Sequence, residues 1–173
     1  MVAEAQKLVE AFNKTSASGA MFANGMTGMS NAAHSAGLTV KQFSEVVGKN
    51  SVELAQSGLG VAEGAKKIGA ALSAGGPQMK KQLLNLGYGF EEQAELTAQT
   101  IANMRRTAGG KVTDTEVATQ TQKYAENLRT IAAITGEDAK SKVKQVQEQN
   151  QLLAFQQKTA NMSKEQRAQL DAA

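Results

Sequence analysis

The chain contains no cysteine, no tryptophan, one proline and one histidine among its 173 residues. Without cysteine there is neither a disulfide framework nor a thiolate metal site. The lone His34, set among Asn31, Ala32, Ala33 and Ser35, supplies neither the partnered base of a triad nor the several ligands of a metal centre. It reads as a solvated or partly packed side chain. Five Phe and two Tyr are too few to build the aromatic wall of a sugar cleft or a platform for base stacking. Nineteen Lys and Arg against 16 Asp and Glu leave a net charge of +3, and the basic pairs Lys66-Lys67, Lys80-Lys81 and Arg105-Arg106 are scattered. A surplus so small and dispersed predicts no specific nucleic-acid binding.

Large apolar side chains are also scarce. Leu, Val, Ile and Phe together number 33 of 173, while Ala contributes 29, Gln 17 and Gly 16. Alanine and glutamine favour helix but bring little surface to bury. The expectation is an all-α chain of seven or eight extended or loosely packed helices, with seams completed by copies of itself.

No long apolar run is present. Glu4, Lys7 and Glu10 interrupt the start, so no signal peptide is expected. Residues 15–40 carry no Asp, Glu, Lys or Arg, a length that could span a bilayer. Ser, Thr, Asn and Gly dominate there and favour a small-residue helix or linker. Met21, Phe22, Met26 and Met29 form the membrane-facing set if this stretch inserts.

Glycine sets the organisation. Thirteen of the 16 glycines precede Phe90 and none follows Gly136, which predicts short broken helices first and longer amphipathic helices later. Gly75-Gly76-Pro77 is the strongest breaker, dividing a glycine-rich segment, 1–76, from an amphipathic segment, 77–173. The second is expected to hold what stable packing exists. Thr39 with Gln42, Thr113 with Glu116, and Ser163 with Gln166 fit the capping box, and Asn50 with Glu53 is a looser variant. Gly37, Gly109-Gly110 and Gly136 are natural helix stops.

The string from Asn85 through Gly87, Tyr88 and Gly89 to Phe90 joins a glycine turn to a helix that runs to Arg105-Arg106. Glu91, Glu92 and Glu95 at its start and the arginines at its end suit the helix dipole. Three stripes at helical spacing follow. Phe90, Ala94, Thr97, Ile101 and Met104 form one, with Leu96 at its margin. Val117, Thr121, Tyr124, Leu128 and Ile131 form the second, reinforced by Ile134, and Val143, Val146, Asn150 and Leu153 the third. The candidate helix-packing seam is drawn from Ile101, Met104, Tyr124, Leu128, Ile131, Val143, Val146, Asn150 and Leu153, with Asn150 placed to fix register.

Patterns that carry chemistry are missing. Gly58-Leu59-Gly60-Val61-Ala62-Glu63-Gly64 has one residue too many for a dinucleotide fingerprint and no strand before it. No phosphate-loop pattern occurs. Neither enzyme activity nor a cofactor or metal is expected.

Ala33-His34-Ser35-Ala36-Gly37-Leu38-Thr39-Val40-Lys41-Gln42-Phe43 opens a run of phrases that continues through Val46-Val47-Gly48-Lys49-Asn50, Leu54-Ala55-Gln56-Ser57-Gly58 and Glu63-Gly64-Ala65-Lys66-Lys67. Segments 86–106 and 124–139 belong to the same texture. Together, over about residues 30 to 140, they resemble the helical repeats of tail tape measure proteins and related internal virion proteins of tailed phages. The resemblance implies a structural protein of the virion tail lumen, packed in several copies, that sets tail-tube length and leaves during genome ejection. It further implies contacts with tail-tube and baseplate or tail-tip proteins, contact with the host membrane at ejection, and presence in the host cytoplasm during assembly. Tape measure chains are usually several times longer and carry long apolar segments that this chain lacks. The alternatives are a helical adaptor or assembly chaperone that binds a partner helix, and a membrane-active helical protein using residues 15–40.

Overall fold

The computed structural model describes residues 2–108 and 111–136, together with positions 138, 141, 145, 148, 149 and 152. Eight helices, α1 (Val2–Ala17), α2 (Gly25–Ala36), α3 (Val40–Lys49), α4 (Ser51–Gln56), α5 (Val61–Ala74), α6 (Gly76–Asn85), α7 (Phe90–Ala108) and α8 (Asp114–Thr135), are followed by helical positions 141, 145, 148, 149 and 152, with no strand among the described residues. The all-α expectation is met, and the two longest helices lie in the second half at 19 and 22 residues.

Punctuation follows the sequence closely. Thr39 and Thr113 each accept a hydrogen bond from the N3 amide, and the N3 side chains Gln42 and Glu116 accept from the N-cap amides in return. Two orphan donors are thereby satisfied at each helix start. After α2, Gly37 at φ 77° turns the chain so that its N–H reaches His34 O and the Leu38 N–H reaches Ala33 O. Gly87 at φ 93° repeats the device after α6, with Tyr88 N–H bonded to Leu83 O. In both, the residue after the left-handed glycine, Leu38 or Tyr88, is buried, as the Schellman stop requires. The looser Asn50–Glu53 cap does not form. Asn50 Nδ2 instead donates back to Val46 O at 2.8 Å, closing the end of α3 rather than the start of α4. The Ser163 box and the Gly109-Gly110 stop lie outside the described residues.

Packing departs from the expectation that stability begins near Pro77. One core cluster runs from Ala11 to Leu128 and crosses the Gly75-Gly76-Pro77 break. Phe43, Met29, Leu54, Ile68 and Leu72, all before that break, are among its largest fully buried side chains. Helix α5 lies at the centre, against α2, α4, α6, α7 and α8, while α1 lies chiefly on α3. The helices share a core more closely than the scarcity of large residues suggested, because small residues let backbones approach. A Cβ added at Gly69 would sit 2.6 Å from the Ala32 carbonyl oxygen, and one at Gly64 would sit 2.8 Å from Leu54 Cδ2. Dispersion contacts that large side chains would otherwise supply are made here by close helix crossings.

Candidate functional site

The candidate seam is partly assembled. Ile101 and Leu128 are buried, and Met104 and Tyr124 pack at the edge of the core. Ile131 does not belong to it: the side chain is 45% exposed, and Ile134 is more exposed still. The buried face of α8 is Val117, Ala118, Thr121, Ala125, Leu128 and Ala132. Ala132, one residue and about 100° further round, takes the inward position that Ile131 was expected to hold. Phe90 is likewise exposed, whereas Leu96, assigned to the margin, is fully buried. Val143, Val146, Asn150 and Leu153 lie outside the described residues.

The membrane-facing set also divides. Met21 and Met26 are exposed, but Phe22 and Met29 are buried in the common core. The segment between α1 and α2 turns these two inward, so the four do not present one apolar face. Among the described residues no helix is long and apolar enough to cross a membrane.

Sequence reasoning missed the polar ties that hold α7 in place. Gln42 Nε2 donates to Glu91 Oε1 at 2.7 Å, Lys49 Nζ pairs with Glu95 Oε1 at 3.0 Å, and Arg105 Nε donates to Ser57 O at 2.9 Å. The charges at the ends of α7 therefore suit the dipole and also tie the helix to α3 and to the end of α4. The Glu95 carboxylate beside Lys49 holds its ammonium above the usual lysine range. Nothing local signals these pairs, whose members lie 46 to 49 residues apart.

A second polar group lies between α7 and α8, where Tyr124 Oη donates to Gln99 Oε1 at 3.3 Å. Burial pushes the phenols of Tyr88 and Tyr124 above the ordinary value. Tyr88 Oη and Gln99 Nε2 are buried without a hydrogen-bond partner.

Clefts open at the surface among the described residues. One, of about 350 Å³, lies between α1 and α3 and is lined by Glu10, Ala11, Lys14, Lys41, Ser44 and Glu45. Its two acids and two bases balance. Another, of about 330 Å³, is lined by Leu59, Lys67, Arg105, Lys111, Val112 and Thr113. Its three cations come from α5, the last turn of α7 and the approach to α8. Among the described residues no group of three His, Cys, Asp or Glu could hold a metal, and His34 is solvent-exposed. The Gly58–Gly64 run follows a helix, not a strand, and its Gly58 and Gly60 form the turn between α4 and α5.

Neither a family model, nor a curated protein, nor a solved structure matches this chain.

Proposed function

We propose that this chain is a non-catalytic structural component of a phage tail, of the tape measure or related internal virion type, acting alongside copies of itself and tail-tube and baseplate or tail-tip proteins. The observation that supports this reading best is where the resembling phrases fall. Leu38, Phe43, Val46, Val47, Leu54 and Ala65 build the core, and Gly37, Thr39 and Gln42 build the stop and start that flank it. The phrases that resemble such structural repeats are spent here on helix packing and helix ends.

The packed domain qualifies how length could be set. Residues 2–136 as one continuous helix would reach roughly 200 Å at 1.5 Å per residue, whereas the longest packed helix, with 22 residues, spans about 33 Å. A ruler counts residues only where the chain is extended, so this domain contributes to length as a folded block. Deleting the coding sequence for residues 2–136 in the phage and imaging particles tests the reading. Loss or malformation of tails is expected, and normal tails in normal number would overturn it.

One observation favours a second reading, the helical adaptor or assembly chaperone: the core closes within a single chain. A protein of that kind would sediment as a monomer at all concentrations and would be absent from finished particles.

A further inference from the structure

Asn24 and Gly25 stand where a side-chain amide can react with the main chain. Asn24 alone among the chain's asparagines precedes glycine. The pair joins the turn after α1 to the start of α2, and Asn24 is exposed. Its side chain makes no capping hydrogen bond, so it is not held in the position that an N-cap asparagine ordinarily takes. At Gly25 the backbone is left-handed, with φ 54°, and a Cβ there would meet nothing within 4 Å. The Gly25 nitrogen is therefore approachable from the side chain before it and from solvent.

Asn50-Ser51 is the natural comparison, because a small residue again follows asparagine. Asn50 is fully buried between α3 and α4, and its Nδ2 donates to Val46 O at 2.8 Å. The same bond formation there requires the core to open. At Asn24 the obstacles are smaller. The Gly25 N–H must leave Phe22 O, 2.8 Å away, and the Asn24 ψ of 25° must rotate. One backbone hydrogen bond is a small net cost, and glycine permits rotation that a Cβ would resist.

We propose that Asn24 is a site of spontaneous modification in the folded chain, converted to aspartate and isoaspartate by the Gly25 nitrogen and water. That nitrogen bonds to Asn24 Cγ, the Cγ–Nδ2 bond breaks, and ammonia leaves with the proton given up by Gly25. Water then opens the cyclic imide, and nothing is oxidised or reduced. Breaking the new bond leaves aspartate, whose charge at the start of α2 suits the helix dipole. Breaking the original peptide bond leaves isoaspartate, which adds a methylene to the main chain two residues from the buried Phe22.

Mass-spectrometric peptide mapping of the full chain, aged in mildly alkaline buffer both folded and in guanidinium chloride, compares each asparagine with itself. Folding should slow conversion at Asn24 by less than about tenfold, the worth of one net hydrogen bond. It should slow Asn50 by more than about a hundredfold, because local opening must come first. Isoaspartate should form part of the Asn24 product. Folding that protects Asn24 as strongly as Asn50 would overturn the proposal. In Asn24→Gln the ring would be one atom larger and would close far more slowly, and the exposed, uncapped side chain leaves the fold undisturbed. The aged folded variant should lose most of the acidic shift that the parent shows on isoelectric focusing, and an undiminished shift would place the modification elsewhere and overturn the assignment.

Discussion

Replacing Gly69 by alanine would ordinarily stabilise a helix interior by about 1 kcal/mol, since glycine is the costlier residue there. Here the opposite is expected. The new methyl would lie 2.6 Å from Ala32 O and 3.1 Å from Ser35 Cβ, and the first of these is backbone that cannot rotate away. Restoring ordinary contact requires α2 and α5 to separate by roughly 0.7 Å, taking a carbon–oxygen contact of about 3.3 Å as normal. That shift loosens Met29, Ala33 and Ala36 from Ala65, Ile68 and Leu72, all buried. Overpacking of this kind costs about 1 to 3 kcal/mol, which cancels the helix-propensity gain of about 1 kcal/mol and leaves a net loss of up to about 2 kcal/mol. Gly48, also within a helix, has nothing within 4 Å of its missing Cβ, and Gly48→Ala should gain up to about 1 kcal/mol. Urea unfolding followed by circular dichroism at 222 nm reads both, as midpoint shifts of opposite sign at unchanged slope. A Gly69→Ala chain that gains stability as Gly48→Ala does would show that α2 and α5 do not approach closely at Gly69.

Further outcomes follow from the same geometry. Leu128→Ala should cost about 2 to 5 kcal/mol, whereas Ile131→Ala, on the exposed side of the same helix, should cost less than about 0.5 kcal/mol; equal losses in chemical denaturation would refute the assignment of the α8 face. Hydrogen bonds from the Thr113 amide and hydroxyl hold the Glu116 carboxyl below its usual range, so its cap contributes above the ordinary carboxylate pKa and is lost as pH falls through the lowered folded value. Glu116→Gln should remove that part of the acid dependence of unfolding, and an unchanged profile would contradict it. Tyr88 and Tyr124 are the chain's two tyrosines, and both phenols are raised by burial. Phenolate absorbance near 295 nm should therefore stay low as pH passes the free-phenol value of about 10, and stability should be full below that value and fall as pH rises through the raised ones. Half-titration at the free value would show both rings solvated.

How much of this could be seen in the sequence depended on contrast between residues. Helix ends were legible because Thr39, Thr113, Gly37 and Gly136 each act through their own backbone and neighbours within a few positions. Asn50 was misread because its amide could serve either flanking helix, and tertiary packing chose α3. The buried faces were legible where a large residue stood among polar ones, as at Ile101 and Leu128. They were not legible where alanine carried the face: Ala132 turns in and Ile131 out, an order that a hydrophobicity pattern reverses. Gly69 is one of the thirteen glycines before Phe90, and it is a point of close approach between helices, which only a partner 37 residues away in sequence defines. Phe22 and Met29 sat in an uncharged stretch that suggested an apolar surface, yet the fold encloses them. The basic cleft was the least visible feature, since Lys67 and Arg105 read as members of scattered pairs until α5 and α7 brought them to one opening.

Mass spectrometry of purified phage particles tests the functional account most directly. If the chain is a structural component of the tail, peptides from residues 2–136 should be recovered from mature virions, enriched in isolated tails, in several copies per particle. Their absence from mature virions, with the chain found only in assembly intermediates or in unassembled lysate, would contradict that account and transfer the helical domain to an assembly role.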